Sequence, residues 1–399
     1  MGPVTATLTR DPTLDALLPA LLIDDPDEQT VTDALLRRVD VTARLEQLVD
    51  GLAALLQAAT SPQTRRAYES DFAHFAAWTG AHGLASLPAA PQTIALYIAA
   101  QQDHLRPASV VRRLSAIAVR HREIGYPPPT AHELVRRAVA GLRRQHDVRP
   151  AAKAALMTAQ LSIICTELHK QTQPPVVDRL APREGLRVRR VAAARALRAR
   201  RDRAVLLVGY AAALRRSELV ALNVGDLTVD DHGLRLFIRR SKTDQEGLGD
   251  YIGIAHGHPP HTCAVTCPIQ AWFEWREAMA AATGTPDHIP VHSPAFRPGT
   301  RHGALGTPTD SDVNARLTGQ SIALIVKTSV KLLNDEHRYP VADYAGHSLR
   351  AGFATQAAAA GVPLDRIMRQ TRHHSVAIAL RYIRHADVWT NNASAALGL

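Results

Sequence analysis

The chain has 399 residues, 46% of them hydrophobic and 5% aromatic, so it holds two or three domains with real cores, and wholesale disorder is excluded. Lys and Arg number 47 against 37 Asp and Glu, a formal charge of +10 that favours a polyanionic partner. Residues 1–50 hold ten acids and four Arg, so the rest of the chain is more basic than the total, at +16, and nucleic acid leads the candidate partners.

Three cysteines cannot form a disulfide framework, and no signal-peptide pattern opens the chain, so a cytoplasmic protein is expected. The longest apolar run, Ala204 to Leu214, is about half of the roughly 20 residues a membrane span needs, which predicts a buried helix and no membrane partner.

Residues 1–56 form an acidic N-terminal extension, punctuated by Pro12, Pro19 and Pro26, with a candidate helix where Leu and Val recur from Val31 to Ala59. Ser61-Pro62 is a helix start, with Ser as N-cap and Pro at the first helical position. Tyr68, Phe72, Phe75 and Trp78 follow at helical spacing as candidate core. Further helices are predicted over 92–100, from Pro107 to Gly125, and from a Thr130 cap to about Arg144. Residues 57–147 thus make a helical unit, in which Arg106 to Arg149 count ten Arg against three acids. A solvated face is the ordinary reading of such a stripe; the acid deficit makes a DNA-facing surface the sharper one.

Residues 148–155 read as a linker, and a second unit, 156–399, opens with a helix around Leu156 to Leu168. Residues 171–200 read as an inserted flexible basic loop, because Pro174, Pro175 and Pro182 break helix and residues 179–203 hold ten Arg and two acids. After a helix ending near Leu222 the apolar period changes to two. Leu227 and Val229, then Leu234, Leu236 and Ile238, then Tyr251 and Ile254 predict three short strands joined at Asp231-His232-Gly233 and at 241–249. Helices return at 269–282, 321–333, 348–360, 364–370 and 375–383. The fold class is mainly α: a helical domain, then a mainly helical domain with a small antiparallel β-sheet.

Four motifs stand in the second unit: LRRSEL (Leu214 to Leu219), RRSKTDQ (Arg239 to Gln245), HSLRAGFAT (His347 to Thr355) and RHHSVAIALRYI (Arg372 to Ile383). Their order and spacing resemble the tyrosine recombinase (phage integrase) family. The stretch TRRAYESDFAHFAAW (Thr64 to Trp78) and the break at Pro127-Pro128-Pro129 are similar to the core-binding domain of its Cre-type members. The resemblance covers roughly residues 57–390. It implies a helical core-binding domain at 57–147 and a catalytic domain at 156–399. The implied activity is site-specific DNA recombination through a 3′-phosphotyrosyl intermediate and a Holliday junction. The implied partner is double-stranded DNA with inverted-repeat sites, bound by a homotetramer spanning two sites, with no cofactor.

The chemistry suits these residue types. Attack on a phosphodiester builds negative charge on the nonbridging oxygens, which fixed cations stabilise. Arg215 and Arg350 are assigned to that task, although either Arg alone would read as a surface residue. Arg216 adjoins Arg215; the family register R-x-x-E selects Arg215, with Glu218 one turn on to orient it. Lys242, at a hairpin tip, is the implied donor of a proton to the departing 5′ oxygen. His347 would take the Tyr proton or hydrogen-bond the phosphate, His373 would donate to a phosphate oxygen, and Tyr382 is the implied nucleophile, whose ordinary pKa near 10 demands cationic surroundings or a base. Arg65, Arg66, Arg112, Arg113 and Arg120 are the candidate DNA-backbone contacts. Arg372 stands where the family usually has Gly, and His374 is the alternative to His373 if the register slips by one.

His256, His258, His261, Cys263 and Cys267 form a dense imidazole and thiol cluster, but the spacing fits no standard zinc pattern and no metal is expected. Two other readings stay open: a type IB topoisomerase-like relaxing enzyme, which shares the Arg, Lys, His and Tyr chemistry, and a catalytically inactive DNA-binding accessory protein. The spacing of Trp389, Ala393, Ala396 and Leu397 predicts a short terminal helix that needs a surface to bury against.

Overall fold

A computed structural model describes residues 44, 45, 47–52, 54, 55, 60–146, 153–176, 181–239, 249–256, 265–284, 289–300, 303–305, 316–377, 379 and 380. The chain divides into two compact units, Met1–Pro150 and Ala151–Leu399. Among the described residues no helix is long and apolar enough to cross a membrane.

In the first unit the described residues between 44 and 55 are helical, with Leu45, Leu48, Leu52 and Leu55 exposed. Helix α1 (Pro62–Ala81) starts as its sequence dictates: Ser61 Oγ accepts the Thr64 N–H at 3.2 Å and Pro62 occupies the first turn. Helices α2 (Pro91–Gln101), α3 (Pro107–Glu123) and α4 (Glu133–Gln145) follow. Phe75, Ile94, Tyr97, Val110, Leu114, Ile117, Val135 and Leu142 fill the space between them. Of the four aromatics of α1 only Phe75 is fully buried; Tyr68, Phe72 and Trp78 are half-buried. The last helix begins later than a Thr130 cap would place it. Pro129–Ala131 form a single 3₁₀ turn first, and His132 Nδ1 accepts the Leu134 N–H.

In the second unit, α5 (Thr158–Lys170) packs on α6 (Pro182–Ala211), a helix of 30 residues. From Pro182 onward this overturns the flexible basic loop expected over 171–200. Pro182 sits at the first helical position, where its missing N–H has no partner to lose, and the Arg and Ala that follow are strong helix formers. Nor are all its arginines at the surface. Arg203 is buried against Glu274 at 2.7 Å and His169 Nδ1 at 2.8 Å, and Arg201 pairs with Asp202 at 2.7 Å. From Ala204 to Gly209 the helix is buried all round.

The short helix α7 (Arg216–Ala221) leads into a sheet of order β1 (Leu227–Asp230), β2 (Gly233–Ile238), β3 (Asp250–Ala255), antiparallel throughout. The register sets Leu227 opposite Leu236, Leu236 opposite Ile252 and Leu234 opposite Ile254, so these side chains form the inner face. Tyr251 does not share it: period two from Ile254 runs through Ile252, and Tyr251 lies against Phe237 on the outer face, the rings tilted and their centroids 4.9 Å apart. Val229, opposite Leu234 in the register, has the parity of the inner face but is exposed near the end of β1. At the tight β1–β2 turn Gly233 has φ +142°, and a Cβ there would come within 2.1 Å of Ile254 O.

Helices α8 (Pro268–Thr283), α9 (Gly319–Val330), α10 (Ser348–Ala359) and α11 (Leu364–Thr371) complete the described unit. Trp272 and Trp275 of α8 are buried against the core, and α8 and α10 both pack on α6. At Gly352 of α10 a Cβ would lie 2.0 Å from Leu156 O, so the absence of a side chain lets the helix approach the backbone before α5. The Leu156 N–H in turn bonds Ser348 O at 3.0 Å.

Candidate active site

Three backbone devices bring the motif residues together. After α6 the chain turns through Ala213, at φ +47°, so that Arg215 lands at the N-cap of α7. Arg350, in the first turn of α10 and 1% exposed, donates from Nη1 to Ala213 O at 2.7 Å, so one arm of the second arginine props the turn that presents the first. His347 is the residue just before α10. The third device is the end of α11, where Arg372 takes a left-handed conformation and stops the helix just before His373.

Glu218 is the hub. It is buried, and its Oε2 accepts the Arg215 N–H at 2.8 Å while Oε1 accepts Arg215 Nη1 at 2.7 Å. Arg372 Nη2 meets Oε2 at 2.5 Å. Burial pushes this carboxyl up, but Arg372 and Arg215 outweigh it and hold the group below the usual carboxylate range. Arg216, by contrast, is exposed, and its stem passes Gly319 and Gly346.

The two histidines feel the arginines directly. His347 is lowered by burial, then by Arg350, Arg215 and Arg216. His373 is lowered to about 4 by burial, then Arg350, Arg215, His347 and Arg372, and its Nδ1 lies 2.9 Å from Thr371 Oγ1. At neutral pH both imidazoles are therefore uncharged without DNA, set among guanidiniums that an anion would neutralise. Such a site suits a phosphodiester: fixed cations for its oxygens, and neutral rings able to donate or accept a proton.

Arg215, Glu218, His347, Arg350 and His373 are thus gathered in one place. Lys242 and Tyr382 lie outside the described residues, as does the terminal segment with Trp389, Ala393, Ala396 and Leu397. At the foot of the Lys242 hairpin Arg239 pairs with buried Asp226 at 2.8 Å. The motif pattern gives Arg372 no role; its mark in the sequence is that it stands where the family usually has Gly. His258, His261 and Cys263 are also outside the described residues, while Cys267 Sγ caps α8 by accepting the Gln270 N–H at 3.4 Å. No group of three metal-ligating side chains occurs among the described residues.

In the first unit Arg65, Arg66 and Arg120 line one open groove of 720 Å³ with Tyr68 and Glu69. Arg112 and Arg113 are placed elsewhere. Arg112 grips buried Asp71 through two bonds of 2.8 Å, although more than half of its side chain is exposed. Arg113 turns inward and donates to Tyr97 Oη at 2.9 Å and Gln101 Oε1 at 3.2 Å. A second groove is rimmed by Arg122, Arg136 and Arg143.

No family model matches the chain. It is 32% identical over 343 residues to an "Integrase/recombinase xerD homolog" of Selenomonas ruminantium, covering 85% of this chain and 86% of that protein. The chain belongs to the integrase/recombinase family of tyrosine-type site-specific recombinases. Two solved structures are similar to it at lower identity. One is a lambda integrase (75–356) dimer bound to a COC′ core site, 14% identical with a TM-score of 0.45, covering 87% of this chain and 96% of that one. The other is the XerH site-specific recombinase bound to palindromic difH substrate in a post-cleavage complex, 13% identical with a TM-score of 0.44, covering 75% and 69%.

Proposed function

We propose that this recombinase cleaves and rejoins DNA strands at a specific site, with Tyr382 as nucleophile. Tyr382 gives its hydroxyl proton to His347 as its oxygen attacks the scissile phosphodiester and forms a 3′-phosphotyrosyl bond, and the 5′ oxygen leaves with a proton from Lys242. A second 5′-hydroxyl then attacks that bond, releases the Tyr and reseals the strand, so phosphodiester bond energy is conserved and no cofactor is consumed. The single observation that carries this reading is the cluster in which Arg215 and Arg350 both act on His347 and His373, a constellation matched to a phosphate gaining charge.

Residues 57–147 are the core-binding domain and 156–399 the catalytic domain in this proposal. In the cytoplasm, four protomers in a Cre-type arrangement bind two inverted-repeat sites and exchange strands through a Holliday junction. Arg65, Arg66 and Arg120 contact the DNA backbone from their shared groove.

The test starts by selecting bound sequences from a random duplex pool and rebuilding them as nicked suicide substrates. The wild-type chain should leave an SDS-resistant protein–DNA adduct, and Tyr382→Phe should bind equally well and leave none. An adduct from the variant moves the nucleophile elsewhere; no adduct from the wild type on any selected sequence refutes the reading.

A further inference from the structure

Arg372 closes α11 in an uncommon way. It has φ +55° and ψ 47°, its N–H bonds Arg369 O at 3.2 Å, and the N–H of His373 bonds Met368 O at 3.1 Å. This is the helix stop at which glycine is least strained, because a Cβ in the left-handed region crowds the neighbouring carbonyl. A long cationic residue stands there instead, and its side chain is 5% exposed.

The segment has an anchor besides that side chain. Gln370 Nε2 already ties it to Ala211 O at 2.9 Å and to Gly253 O at 3.0 Å. What the Arg372 guanidinium adds is a contact with Glu218 Oε2, on the carboxylate that also holds Arg215. The connection is made twice, since Arg215 Nη2 reaches back to Arg372 O at 3.4 Å. Arg372 therefore links two elements of the site that are far apart in sequence: the N-cap of α7 and the turn that carries His373.

We infer that Arg372 is a positioning residue for strand cleavage, fixing the Arg215 guanidinium through their shared Glu218 carboxylate while its left-handed turn directs His373 toward the same phosphate. This rests on the recombinase reading proposed above. It adds to that reading a third arginine, which acts on the reacting group through Arg215 and Glu218. The Glu218 carboxylate, held from both sides, cannot rotate with Arg215, so the guanidinium keeps one orientation before DNA arrives.

Substitution by glycine separates the two roles of the position, because Arg372→Gly relaxes the turn while removing the guanidinium. The full chain would be assayed in single-turnover cleavage of the selected nicked duplexes, with binding constants from gel shifts and a melting curve for each variant. Cleavage by Arg372→Gly should fall by about tenfold or more while binding stays within about threefold, the pattern of an interaction realised in the transition state. Arg372→Lys should recover part of the rate, and Arg372→Gln, which keeps a polar side chain without the charge, should behave like Gly even if the Gly variant melts lower. In a Glu218→Gln background the Arg372→Gly change should cost far less than in the wild type, since the shared carboxylate is already gone. Wild-type cleavage by Arg372→Gly and Arg372→Gln, or a parallel loss of binding and cleavage, overturns the inference. Failure of the wild-type chain to form any adduct overturns the recombinase reading itself, and the inference with it.

Discussion

Glu218→Gln removes one charge from the site and almost no volume. The carboxylate is 1% exposed and receives three donors, from the Arg215 N–H, Arg215 Nη1 and Arg372 Nη2. A glutamine offers a single acceptor oxygen and turns its own NH₂ toward at least one of those donors, leaving two neighbouring guanidiniums without a counter-charge. Removing one partner of a buried ion pair costs about 3 to 5 kcal/mol, and the retained amide oxygen places this case near about 3 kcal/mol. For a unit of this size that lowers the melting temperature by about 6–12 °C. Differential scanning calorimetry of the full chain, following the transition of the Ala151–Leu399 unit, measures it. The pH dependence supplies the sign. The folded pKa of Glu218 lies below its ordinary 4.5, so its contribution is complete above that value and is lost as pH falls through the folded pKa. The gap between wild type and variant should therefore close in acid. A drop below about 2 °C at pH 7, or a gap that stays constant into acid, refutes the reasoning.

His373 has a folded pKa of about 4, below its ordinary 6.5, so between these values the unfolded chain binds more protons and stability falls as pH drops through that window; His373→Gln should flatten this part of a melting-temperature profile. Gly352→Ala drives a methyl group against Leu156 O and should destabilise the second unit by about 1 to 3 kcal/mol, read from the guanidinium midpoint, because backbone rather than a flexible side chain must give way. Lys242→Ala should slow cleavage of an ordinary substrate and regain most of the rate on a 5′-bridging phosphorothiolate, whose sulfur leaves without a proton; no recovery removes Lys242 from the role of acid.

Much of this protein is legible in local sequence, because helix starts and strand periods are set by residues within a turn of one another. Ser61-Pro62 starts α1 where those residue types must start a helix. The alternation at Leu234, Leu236 and Ile238 marks the inner face of β2, and the residues of the site announce themselves by order and spacing. What tertiary structure decided has no local signature. The arginines of α6 read as part of a solvated loop, yet Arg203, toward the helix's end, is buried between His169 and Glu274, partners that only packing supplies. Tyr251 alternates with the wrong neighbours until pairing with Phe237 assigns it a face. Arg372 reads as a departure from pattern, for its partner lies 154 residues earlier in the chain. A charge at that separation acquires meaning only when folding excludes water around both groups and leaves each as the other's counter-ion.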